Sequence, residues 1–73
     1  MDIREKTGLR IKELRLALNL TQEKLSFKAN VDKTYLNEVE RGKRNISIIN
    51  LEKVIVALNS SFPDFFNNQI FNY

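Results

Sequence analysis

Seventy-three residues with a formal charge of +3 make one small domain. A chain of this size buries only about 60% of its extended-chain surface, so it gains from dimerising. It has neither cysteine nor histidine, which excludes disulfides, thiolate or imidazole metal sites, and any nucleophile that needs a His base. Nothing resembles a signal peptide or the run of roughly eighteen apolar residues that spans a membrane, so a cytoplasmic setting is expected.

A first helix is expected from about Lys6 to Leu18, with Ile11, Leu14, Arg15 and Leu18 on one face. Arg15 thus falls among core positions and needs an opposite charge there. Thr21 can cap the free amides of a second helix, and Asp32 can do the same for a third. Between them Asn30 and Val31 stand at a corner, where Asn tolerates left-handed backbone, and Gly42 suits the end of the third helix. Two short helices across a tight turn make a helix-turn-helix over about residues 21–42.

The third helix, about Lys33 to Arg41, carries Thr34, Asn37, Glu38 and Arg41 as a polar stripe, with Leu36 and Val39 facing the other way. A polar stripe alone is most often a solvated face. Following a capped helix and a tight corner, it reads instead as a surface for DNA, entered by Lys33, Thr34 and Tyr35 at the helix start. Lys33, Arg41, Lys43 and Arg44 stand here against Glu38 and Glu40, and the balance turns positive if Glu40 points inward. Glu40 lies beside Leu36 and Val39 on the buried flank and is expected to pair with Arg15.

A fourth helix, about Ile48 to Leu58 after a Ser47 cap, offers Ile48, Leu51, Val54, Ile55 and Leu58 to the core. Pro63 suits the first turn of a fifth helix carrying Phe62, Phe65 and Phe66, so that helices four and five occupy about residues 47–68. Ile49, Val56 and Phe66 are the expected dimer contact, since surplus apolar surface commonly marks an interface. Phe62 and Phe65 fit an interface, and fit the core nearly as well. The tail NNQIFNY is expected to fray or to join the dimer seam through Ile70 and Phe71.

TQEKL, the small Ala29, the turn and VERG resemble the Cro/phage-repressor (XRE-type) class of helix-turn-helix regulators, over about Leu9 to Phe66. The resemblance implies an all-α, five-helix Cro/C1 repressor-like DNA-binding domain, a single unit over residues 1–73. Within the class, DKTYLNEVERGKRNISIINLEKV is especially similar to the controller proteins of bacterial restriction-modification systems, through Thr34-Tyr35 and Glu40 to Asn45. The resemblance further implies a link between Arg15 and Glu40, dimerisation through the C-terminal helices, and a phosphate-contacting Gln at Gln22, beside Thr21 at a helix N-terminus.

Lys33 can donate to guanine O6 and N7, Thr34 can meet a base edge or a thymine methyl, and Glu38 can accept from cytosine N4. Controller proteins often have Arg where Lys33 stands, so a bidentate contact is weakened here. Tyr35 and Asn37 read as backbone contacts, with Tyr35 alternatively packing over Lys33 or the turn. Lys43 and Arg44 can touch phosphates or the adjacent minor groove, Arg44 the stronger by resemblance.

A two-fold dimer would set its recognition helices about 34 Å apart on a pseudo-palindromic operator. The implied partners are promoter DNA, a second copy and RNA polymerase, with no cofactor and no membrane. A prophage repressor, a Cro-like regulator and an antitoxin-type binder are the alternatives. An enzyme is disfavoured, because the carboxylates have no His, Cys or glycine-rich loop beside them.

Overall fold

The computed structural model describes residues 1–72, which form five α-helices and a final 3-10 turn, with no strand among the described residues. The helices are α1 (Ile3–Ala17), α2 (Gln22–Ala29), α3 (Lys33–Glu40), α4 (Ile48–Ala57) and α5 (Phe62–Phe66), and the turn is Gln69–Phe71. Each helix starts at a side-chain oxygen, from Asp2, Thr21, Asp32, Ser47 and Ser61 in turn, which accepts from an otherwise unpaired amide of the first turn. Asp2 moves the start of α1 ahead of the expected Lys6. With Glu5 it forms a reciprocal capping box, a D-x-x-E pattern that the apolar periodicity alone did not mark. Arg4 hydrogen-bonds the Asp2 carboxylate and holds it below its ordinary pKa.

The stops are equally local. Asn19, Asn30 and Asn59 take φ of 57°, 56° and 57°, and Gly42 takes 72°, so each of the first four helices runs into a left-handed residue that turns the chain away. At Gly42 the space is also tight: an added Cβ would lie 2.8 Å from the Glu5 Cγ.

Every helix supplies the core: Ile11 from α1, Leu25 from α2, Leu36 and Val39 from α3, Val54 and Ile55 from α4, and Phe65 from α5 are fully buried. α1 packs on α3, and α2 packs on both α3 and α4. The first of these seams depends on Gly8, where a Cβ would sit 2.8 Å from the Glu40 carbonyl oxygen and nearer still to that of Val39.

Two expectations about the core, and the expected fraying of the tail, are corrected. Leu18 is exposed, because it ends α1 and the chain turns at Asn19 to insert Leu20 instead. Ile48 is 68% exposed, because as the first residue of α4 it overhangs the core edge. The tail is ordered through Asn72: Asn68 caps the 3-10 turn, its side-chain amide donates to Glu13 at 3.4 Å, and the Phe71 ring packs 4.8 Å from Phe66. Phe65 completes the core and Phe62 is half-buried against it. The final residue, Tyr73, lies outside the described residues.

Candidate nucleic-acid interface

Asp32 caps α3 by accepting from the Tyr35 amide at 3.0 Å, and this leaves the first turn of the helix at the surface. Lys33 and Thr34 are exposed, Asn37 and Glu38 are half-buried, and Leu36, Val39 and Glu40 are buried. The polar stripe therefore faces outward. The Lys33 ammonium stands 3.7 Å from Glu23 across the turn, with both side chains largely exposed. Thr21 caps α2 through a 3.1 Å bond from the Lys24 amide.

Beneath this face lies a charged seam. Arg15 donates to both oxygens of Glu40, from Nε at 2.8 Å and from Nη2 at 3.0 Å, and its Nη1 donates to the Leu20 carbonyl at 2.7 Å. Gln22 joins the seam by donating from Nε2 to Glu40 at 3.1 Å, and Asn37 donates from Nδ2 to Gln22 Oε1 at 3.0 Å. No buried side-chain polar atom is left without a partner among the described residues, which such a seam requires if it is not to cost stability.

A second cluster covers the far end of α3. Gly42 turns the chain so that Arg44 comes back over the helix, with its guanidinium 5.0 Å from the Tyr35 ring centroid and Nη1 donating to Glu38 at 2.9 Å. The Tyr35 hydroxyl accepts from Asn50 Nδ2 at 3.3 Å. Tyr35 thus packs under Arg44 rather than over Lys33 or the turn. The Glu38 carboxylate, expected to meet a cytosine, is occupied by Arg44 because the turn at Gly42 closes a loop that spacing alone does not reveal. Arg41 and Lys43 are exposed, and among the described residues neither makes an ion pair or a side-chain hydrogen bond.

Sequence reasoning missed Asn50, the bond from Asn37 to Gln22, and Phe27, which is 90% exposed. Phe27 had a signal, because at 100° per residue it falls off the face that Gln22, Leu25, Ser26 and Ala29 share. The other two had none, since they depend on how separate helices cross.

Ile49 and Val56 are 67% and 65% exposed on the outer stripe of α4, whereas Phe66, 39% exposed, lines a groove with Ile3, Ile46 and Leu51. Val56 instead borders a groove with Lys28 and Ala29 of α2. The three expected dimer residues thus lie on two flanks: Ile49 and Val56 share one stripe of α4, about 20° apart, and Phe66 stands on α5. Among the described residues there is no cluster of His, Cys, Asp and Glu fit for a metal ion, and no helix is long and apolar enough to cross a membrane.

A family model described as helix-turn-helix matches residues 11–65. Control protein C.BamHI of Bacillus amyloliquefaciens is 41% identical over 58 residues, covering 78% of this chain and 72% of that protein. The crystal structure of the restriction-modification controller protein C.AhdI of Aeromonas hydrophila superposes with a TM-score of 0.83 at 41% identity, over 86% of this chain and 96% of that one. The tetramer of controller protein C.Esp1396I in complex with its natural 35-base-pair operator matches at a TM-score of 0.85 and 38% identity, over 90% of this chain and 87% of that one.

Proposed function

The chain belongs to the XRE-type helix-turn-helix family, and from that premise we propose that it is the controller protein of a restriction-modification system, a transcriptional regulator that binds a pseudo-palindromic operator as a dimer. The observation that carries this reading is the outward N-terminal turn of α3, with Lys33 and Thr34 exposed at its tip and Arg41, Lys43 and Arg44 around its far end. A helix presented in this way enters the major groove, where Lys33 reads a base and the surrounding cations neutralise phosphates. Likeness to a relative solved on its operator supports DNA as the partner.

Site roles follow from reach and freedom. Lys33 and Thr34 take base edges; Thr21 and Gln22, at the amide-rich start of α2, take a phosphate. Lys43 and Arg41 take backbone phosphates, and Arg44 and Tyr35 act together from their stacked position. Asn37 and Glu38, the other expected contacts of the stripe, are engaged within the protein, Asn37 on Gln22 and Glu38 under Arg44. The dimer contact is proposed on α4 and α5, across Ile49, Val56 and Phe66. RNA polymerase is the proposed downstream partner, blocked or recruited at the occupied promoter.

Selection of bound sites from random duplexes, followed by titration at several salt concentrations, tests the reading. A palindromic consensus with salt-sensitive affinity is the expected result, and duplex binding without sequence preference would overturn it. Lys33→Ala should lose roughly 1–3 kcal/mol at one defined base position, whereas Lys43→Ala should weaken all sequences alike and lower the salt slope by about 1. Equilibrium sedimentation that finds only monomer at micromolar concentration would remove the dimer.

A further inference from the structure

The direction of every hydrogen bond in the seam is dictated from its buried end. Arg15 can only donate, and ionised Glu40 can only accept. Gln22 must therefore turn Nε2 toward Glu40, which leaves Oε1 facing α3, and Asn37 must answer with Nδ2. The polarity set by one buried guanidinium is in this way passed through three side chains to the outward stripe of α3. Glu40 takes only one of the two Nε2 hydrogens of Gln22, and Gln22 lines an open rim with Thr21, Glu23 and Lys33.

We infer that Asn37 is a positioning residue, which latches the Gln22 amide so that its spare N–H is held ready for a nucleic-acid phosphate. Without that latch the amide keeps one tie, to Glu40, and is free to swing about it. The same bond joins the start of α2 to the middle of α3, so it also limits the roll of the reading helix against its neighbour. Asn37 needs no contact of its own with DNA for either effect. This inference rests on the DNA-binding reading above.

The test is a double-mutant cycle on operator affinity with the full chain, using Gln22→Ala, Asn37→Ala and the two combined, at one fixed salt concentration. Asn37→Ala should weaken binding by about three- to tenfold, the worth of one neutral hydrogen bond, and should cost almost nothing further once Gln22 is already Ala. The salt slope should stay unchanged in all three, because neither side chain carries charge. Thermal unfolding of each variant without DNA separates this from a loss of fold, and Asn37→Ser, which keeps a short donor on the half-exposed position, should recover part of the affinity. Additive losses would mean that Asn37 touches DNA itself, and no loss from Asn37→Ala would mean that the latch is idle. Either result overturns the inference while leaving DNA binding intact. A wild-type chain that binds no duplex removes the DNA-binding reading, and the latch with it.

Discussion

Helix α3 carries two glutamates two residues apart, each paired with an arginine at nearly the same distance, 2.8 Å for Glu40 with Arg15 and 2.9 Å for Glu38 with Arg44. Their surroundings differ. The Glu40 and Arg15 side chains are 2% and 9% exposed, those of Glu38 and Arg44 39% and 54%. The inner pair has given up its water and cannot lose one member without stranding the other. The outer pair keeps its water, so its members are free to change partners, and a phosphate is a partner that Arg44 fits well. Closely spaced residues of one helix thus divide into a part that holds the domain together and a part that can be spent on a ligand.

The sharpest way to break this contrast is Arg15→Met, which should cost about 3–5 kcal/mol, against a change within about 0.5 kcal/mol for the exposed control Lys12→Met. Equal losses in denaturant titrations would show that the buried pair is not special. Next in size is Gly8→Ala on the same seam, at about 1–3 kcal/mol or more, because the methyl group meets backbone carbonyls that cannot rotate aside.

Replacing the pair together, Arg15→Met with Glu40→Leu, should recover most of the loss seen in Arg15→Met alone, since no uncompensated charge remains. Operator affinity should nevertheless fall in that double variant, because Gln22 loses the acceptor that orients it. The smallest effect belongs to the outer pair. Glu38→Gln should shift unfolding by less than about 1 kcal/mol, while operator binding tightens as Arg44 is released and a negative charge leaves the interface. Weaker operator binding in this variant would place Glu38 at a base instead.

Much of this was legible in the linear chain, because it is governed by neighbours along it. Thr21, Asp32 and Ser47 mark starts, Asn30 and Gly42 mark stops, and the alternation of Leu36 and Val39 with Thr34 and Asn37 sets the face. The start of α1 was legible too, in the spacing of Asp2 and Glu5, though weaker than the apolar signal that begins later. Leu18 and Ile48 misled because periodicity says which side of a helix a residue occupies but not whether the partner helix extends that far. The order of the tail was hidden for a related reason: Asn68 caps a turn too short to show a period. Arg44 over Tyr35, Asn50 on Tyr35 and Asn37 on Gln22 are products of helix crossing and of the turn at Gly42, so no local rule reaches them.

The packing of α1 on α3 and of α2 on α4 interleaves along the chain. Neither seam is made by elements that follow one another directly. A break between α2 and α3 would therefore sever both at once, so that two fragments parted at Asn30 and Val31 each lack what buries their apolar face. The two short helices proposed to meet DNA cannot be excised as a working peptide, and unfolding should proceed in one cooperative step with the proposed reading surface lost together with the core.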